Sequence, residues 1–185
     1  MKYASEDLIQ EHVSINAGLD VLERMAQWLR EGRAVERADA ADLVAFFVEF
    51  ADRCHHGKEE GILFPAMAEA GIPNENGPIG VMLAEHVEGR AAVARMKSAL
   101  ADGGLDSAAF VEGADAYLAL LRIHIRKENM ILFPLGDRKI PVEQEAGLLD
   151  RFERHEKTVM GPGAHERFHD LLHRLRKTYL GGEMK

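Results

Sequence analysis

Residues 54–65 read CHHGKEEGILFP, and a close copy returns at residues 124–134 as HIRKENMILFP. Aligning the two on Leu-Phe-Pro places His55 on His124 and Glu59 on Glu128. Each copy has a His and a Glu four residues apart, a spacing that puts both side chains on one face of a helix. Imidazole and carboxylate facing the same way, twice, form the donor set of a metal site.

Outward from these copies, apolar positions recur at helical steps. A helix is expected over about 5–31, with Leu8, Ile15, Leu19, Leu22 and Met25 on one stripe, Ser5 as N-cap and Gly32 as stop. His12 lies on that stripe. A second helix is expected over about 39–69, carrying Leu43, Val48, Ala51, His55 and Ile62 on one face. Gly71–Gly80 (GIPNENGPIG) reads as a loop. A third helix follows over about 79–100, with His86 among Met82, Leu83, Val93 and Met96, and a fourth over about 107–135, with Tyr117, Leu120, Leu121, Ile131 and Leu132 around His124. No alternating strand pattern of useful length is present. The fold class is all-α.

The repeat extends beyond the two copies. Helix one carries Glu11-His12-Val13 and helix three Glu85-His86-Val87, and the flanking apolar positions correspond as well. The unit is a helix with one His followed by a helix with His-x-x-x-Glu, present twice. Four helices joined by short connections pack most simply as an antiparallel up-down bundle, here over about 5–137. Two C-terminal helices, about 141–158 with Pro141 in the first turn and about 164–180, are expected to extend it, separated by Gly161-Pro162-Gly163. Phe168, Leu172, Leu175 and Tyr179 give the last helix a stripe that would cover the bundle. No linker marks a second domain, so residues 1–185 read as one.

If the bundle forms, His12, His55, Glu59, His86, His124 and Glu128 converge. Imidazole with carboxylate suits iron, manganese or zinc, whereas calcium and magnesium favour oxygen donors. Six donors exceed one tetrahedral zinc; two bridging carboxylates with two His per ion describe a dinuclear site with room for water or a small ligand. Two ionised carboxylates inside an apolar bundle would each cost several kcal/mol without a cation.

His56 and Glu60 form an equally spaced pair. Their helical neighbours Glu49, Asp52 and Arg53 are charged, and their counterparts in the second copy are Ile125 and Asn129. This pair is therefore read as surface, and His55 and Glu59 as the ligands. The Leu-Phe-Pro endings are read as core packing and helix termination, Cys54 as a small apolar filler, and His155, His165, His169 and His173 as surface positions.

The single cysteine precludes an internal disulfide or a thiolate cluster. With 23 Lys and Arg against 31 Asp and Glu, a net charge of −8 argues against nucleic acid or an anionic membrane as the main partner. The apolar runs fall short of a membrane span and the first residues lack the pattern of a signal peptide. The expected location is cytoplasmic.

The His-x-x-x-Glu motifs at His55 and His124, each followed by Leu-Phe-Pro, together with Glu-His at His12 and His86, resemble the hemerythrin-like, or HHE cation-binding, family over about 6–137. That resemblance implies a four-helix bundle around a non-heme di-iron centre, two iron ions joined by an oxo or hydroxo bridge. Glu59 and Glu128 would bridge and the four His would be terminal ligands. Oxygen-carrying hemerythrins have a fifth His one turn from another on the third helix, where this chain has Met82 and Arg90. The four-His, two-Glu set is more similar to di-iron proteins that repair iron–sulfur clusters under nitrosative stress. Those carry a cysteine-containing N-terminal domain, for which His12 lies too near the start. The expected function is binding or reaction with a small oxidant (dioxygen, peroxide or nitric oxide), with an iron or oxygen sensor or metal reservoir as the alternative.

Overall fold

The computed structural model describes residues 3–161 and 163–181, which form helices and no strand. Helix α1 is Ala4–Arg30. Helix α2 spans 37–69: an α stretch Arg37–Phe46, π-helical stretches Phe47–His56 and Glu59–Leu63, and an α end Phe64–Glu69. Helix α3 is Pro78–Ser98. Helix α4 spans 107–139: α over Ser107–Lys127, π over Glu128–Leu132 and α again over Phe133–Lys139. Helices α5, Glu145–Met160, and α6, Ala164–Leu180, follow. None of these helices is long and apolar enough to cross a membrane.

Local chemistry explains most of these boundaries. Gly32 ends α1 as expected, with φ +72°. Its N–H donates to the Leu29 carbonyl and that of Arg33 to Trp28, the paired closure that a left-handed residue permits. Ser5 is not the cap. Tyr3 is, without a side-chain bond, and Ser5 instead donates its hydroxyl to Asp137 Oδ1 at 2.7 Å. The start of α1 is held by Glu145, whose Oε2 accepts from the Ala4 N–H at 2.7 Å. Asp106 caps α4 by accepting from the N–H groups of Ala108 and Ala109. Helix α5 starts at Glu145, later than expected, because Pro141 caps a short 3-10 turn, Val142–Gln144. Gly161 and Gly163 both adopt positive φ between α5 and α6; Pro162 lies outside the described residues.

The prolines of the two Leu-Phe-Pro motifs do not terminate their helices. Pro65 and Pro134 lie at the start of the closing α stretches. Proline has no N–H to donate and its ring crowds the carbonyl four residues back. The turn before each widens to the π form, and the helix then resumes. Both π turns begin on the acidic residue of the motif, Glu59 and Glu128.

Two apolar clusters organise the interior. One gathers Ile15, Leu19, Ala51, Val93, Leu121 and Ile125 with Phe168 and Leu175 of α6; the other gathers Leu8, Ile62, Met82, Leu132 and Phe133 with Leu148 and Phe152 of α5. Along α1 the order is Leu8, His12, Ile15, and along α3 it is Met82, His86, Val93. Along α2 and α4 it reverses, Ala51–His55–Ile62 and Leu121–His124–Leu132. Consecutive helices from α1 to α4 therefore run in opposite senses, and the histidines lie in a polar layer between two dry ones. Helix α4 packs on α1 and α3, α2 packs on the same two, and α5 covers the π stretches of α2.

Candidate metal centre

All six residues expected to face inward do so. His12, His55, His86 and His124 are each 1% exposed, and Glu59 and Glu128 are 0% exposed. The two carboxylates occupy the centre. His12 Nε2 lies 3.3 Å and His124 Nε2 3.1 Å from Glu128 oxygens. His55 Nε2 is 3.6 Å and His86 Nε2 3.3 Å from Glu59 oxygens. Donor atoms of His12, His55, Glu59 and Glu128 fall within 4.8 Å of one another, and so do those of a second group around Glu59 that contains His86 and His124.

Every one of these imidazoles is anchored through its other nitrogen. His55 Nδ1 lies 2.9 Å from Glu11, His86 Nδ1 2.7 Å from Glu60, His124 Nδ1 3.0 Å from Glu85, and His12 Nδ1 2.7 Å from Asn129 Oδ1. Each partner oxygen can only accept, so each Nδ1 carries the proton and each Nε2 presents a lone pair to the centre. This is the outer support that fixes the tautomer of a metal-binding histidine. Sequence reasoning missed the four partners. Glu11 and Glu85 were visible as the Glu-His pairs of helices one and three, but not as supports for a His on another helix. The Phe of each Leu-Phe-Pro also takes part: Phe133 stacks on His12 at 5.7 Å between ring centroids, and Phe64 on His86 at 6.0 Å.

The placement of His56 is a correction. It is 3% exposed, its ring is stacked on His86 at 3.9 Å between centroids, and it completes the second group with Glu59, His86 and His124. Neighbouring side chains on an α-helix diverge by about 100°, which would send His56 out if His55 faces in. The π-helical winding of Phe47–His56 brings neighbours closer together in angle. Glu60 is not a bare surface carboxylate either, because it joins His86 to Arg90. One signal pointed inward, namely that the counterpart Ile125 is apolar and is 5% exposed.

One more expectation needs amending. His155 is half-buried, not simply solvated. Its Nε2 donates to the Arg53 carbonyl at 3.0 Å, beside a Gly57 whose missing Cβ leaves it room. His165 bonds Glu156 at 2.6 Å and lies edge-on to Phe50, while His169 and His173 are exposed. Among the described residues these three form no metal-holding group. A third group of potential ligands, Glu11, Cys54 and Glu156, already surrounds the Lys58 ammonium, 2.5 Å from Glu11 and 3.4 Å from Glu156. Burial pushes the Cys54 thiol up to about 12, so it stays protonated.

The electrostatics show what the centre lacks. Both oxygens of Glu59 and of Glu128, and Nε2 of His12 and His55, are buried without a hydrogen-bond partner. The Nε2 atoms of His86 and His124 face each other at 3.2 Å, two lone pairs that repel unless a cation or proton lies between them. Burial would raise Glu128, but His124 and His12 outweigh it and hold that carboxyl well below the usual range. Burial would likewise lower His86, but Glu59 and Glu60 raise it to about 9; Glu59 with Glu11, and Glu128, raise His55 and His124 in the same way. Without metal, protons must neutralise the buried carboxylates. A chemically matched cation pair would satisfy these orphaned atoms together, so the residues fit a metal centre.

Residues 4–136 match the family model of the hemerythrin HHE cation-binding domain. Neither the curated proteins nor the solved structures yield a match to the chain.

Proposed function

Because this chain belongs to the hemerythrin HHE cation-binding family, we propose that it is a non-heme di-iron protein that binds or reacts with a small oxidant, dioxygen, peroxide or nitric oxide. The observation that carries this reading is the set of orphaned atoms, four carboxylate oxygens and the inward Nε2 lone pairs, buried between two apolar clusters. His12, His55, Glu59, His86, His124 and Glu128 would hold the metal. The alternating sense of α1 to α4 supports an antiparallel four-helix bundle, with α5 and α6 completing a single domain.

Iron would supply Lewis acidity and a change of oxidation state. The residues of the chain supply the rest. Glu11, Glu60, Glu85 and Asn129 hold each imidazole in one tautomer and one orientation, so little reorganisation is needed when metal enters. Leu8, Phe64 and Phe133 on one side and Ile15 and Leu121 on the other exclude bulk water, which strengthens every charge interaction within the layer. Glu59 and Glu128, both central and both fully buried, would supply the negative charge that a bound metal needs without a further charged group.

Anaerobic iron reconstitution followed by metal analysis and absorption spectroscopy tests the proposal. Two irons per chain with oxo-bridge or ligand-to-iron bands are expected. Glu59→Ala and Glu128→Ala should each lose metal, and full metal content in both variants would show the ligand assignment to be wrong. Turnover of peroxide or nitric oxide by the loaded protein would mark an enzyme, whereas ligand binding without turnover would mark a sensor or reservoir.

A further inference from the structure

A cavity of about 150 Å3 lies between α2 and α3, bounded by Val48 of α2, by Arg90, Val93, Ala94 and Lys97 of α3, and by Tyr117 of α4. Neither Glu59 nor Glu128 lines it, and His56 is the one residue of its wall that belongs to the donor groups of the centre. Ala94 and Lys97 are exposed, so that side of the wall is its mouth.

Two polar groups on this wall have no partner within the protein. Tyr117 is 2% exposed and meets Phe47 edge-on at 4.9 Å between ring centroids, yet among the described residues its hydroxyl makes no hydrogen bond. Tyr179, buried to a similar degree, donates its hydroxyl to Asp39 Oδ2 at 2.9 Å. A buried hydroxyl left without a partner is costly and uncommon. The second group is Lys97. The Arg90 guanidinium on the same wall is taken up by Asp52 at 2.7 Å and Glu60 at 2.6 Å, whereas no carboxylate among the described residues pairs with the Lys97 ammonium. In a chain of net charge −8, the mouth of this cavity carries a surplus positive charge.

We propose that the cavity is a binding site for a small organic acid, its apolar body held between Val48 and Val93, its carboxylate drawn to Lys97 and one acceptor atom taking the Tyr117 hydroxyl proton. A mostly apolar pocket with a few placed polar groups is the usual form of a small-molecule site. Volume sets the size of the occupant: an engineered cavity of about 150 Å3 in an unrelated protein takes up benzene. One six-membered ring or a short branched chain therefore fills this one. Charge sets the class, because an amine would bring a second cation to Lys97 and a carboxylate neutralises it. The site stands apart from the metal reading, since its occupant needs none of the carboxylate oxygens of the centre.

Calorimetric titration of the full chain, as purified and again after iron loading, tests the proposal with benzoate and isovalerate as probes and benzylamine and acetate as controls. Both probe acids should saturate at one per chain with the same affinity in the two preparations. Benzylamine lacks the negative charge and acetate the apolar body, and each should bind at least about tenfold more weakly. Lys97→Met should weaken benzoate by about threefold and Tyr117→Phe by about fivefold. Ala94→Trp, which fills the mouth, should abolish binding. Lys97 and Ala94 are exposed, so those two variants keep the fold. No saturable binding of either acid would overturn the proposal, as would benzoate binding undiminished in Ala94→Trp, which puts the acid elsewhere. Benzylamine binding as tightly as benzoate, or an affinity unmoved by Lys97→Met, would overturn the acid class. An acid that binds only after iron loading would be a ligand of the centre and not of this cavity, whereas iron uptake that fails while both acids still bind would leave the cavity assigned and the di-iron reading lost.

Discussion

The two His-x-x-x-Glu copies repeat more than their His and Glu. In the first, Lys58 holds Glu11 and Glu11 holds His55; in the second, Lys127 holds Glu85 and Glu85 holds His124. Outer support also crosses between copies, because Glu60 of the first steadies His86 and Asn129 of the second steadies His12. The copies differ in what covers them. Helix α5 lies over the first, burying Lys58 completely and bringing Glu156 to it. The second faces outward, with Ile123, Met130 and Ile131 at 54%, 71% and 59% exposure. The His and Glu of the motif are thus duplicated, while the depth of burial and the inward-facing His56 are particular to one side.

The largest break in that comparison should come from the two lysines. Lys58→Met leaves the Glu11 carboxylate, 8% exposed and held down to about 2 by His55 and Lys58 against the effect of burial, without its ammonium partner. Removing one member of a buried ion pair costs about 3–5 kcal/mol. Lys127→Met removes the same contact where the lysine is 33% exposed, and should cost no more than about 1 kcal/mol. Urea unfolding of the two metal-free variants measures both. Equal losses would mean that the cover provided by α5 does not set the strength of the Lys–Glu–His chain.

A smaller effect separates Glu60 from Asn129. In the metal-free protein the folded-state pKa of His86 rises from 6.5 to about 9. A raised folded value contributes stability that is present below the unfolded pKa and lost as pH rises. Metal-free stability should therefore decline between about pH 6.5 and pH 9. A bound metal would replace those protons, so a metal-loaded protein should hold its stability through that window and lose metal on acidification instead. Glu60→Gln removes one of the two carboxylates that raise His86 and should move the upper edge of the decline down, whereas Asn129→Ala should leave it in place. Urea midpoints against pH on the metal-free proteins check this, and an upper edge unmoved by Glu60→Gln would show the two outer supports to be equivalent.

Much of the molecule was legible because it is written in α-helical periodicity. Leu8–His12–Ile15 on α1 and Met82–His86–Val93 on α3 follow three- and four-residue steps, and the structure keeps them. Legibility failed where the helix leaves that geometry. The counts that put His55 inside put His56 outside, since they presuppose α winding, and nothing in FVEFADRCHH announces a π stretch as Pro65 does downstream. The partners of the imidazoles were hidden for another reason. Glu11 reaches His55 and Glu60 reaches His86 across helix–helix contacts, and the relative rotation of two helices is set by packing, not by spacing within either one. His155 belongs to the same class, since its bond to the Arg53 carbonyl depends on the docking of α5.

The smallest expected difference lies at one matched pair of isoleucines. Ile62 in the first copy is 7% exposed, within the cluster that includes Leu148 and Phe152 of α5; Ile131 occupies the same motif position and is 59% exposed. Both side chains begin from the same backbone, a π turn that opens on a fully buried glutamate, so local conformation is matched and only the covering helix differs. Ile62→Val removes one methyl group from a packed site and should cost about 0.5–1.5 kcal/mol. Ile131→Val removes it from water and should stay within about 0.5 kcal/mol of wild type. Because neither residue belongs to the groups that could hold a metal, the gap should be the same with and without metal. A gap that appears only in the loaded protein would mean that α5 acts through the metal layer, and the two copies would then differ in their coupling to the centre and not merely in their cover.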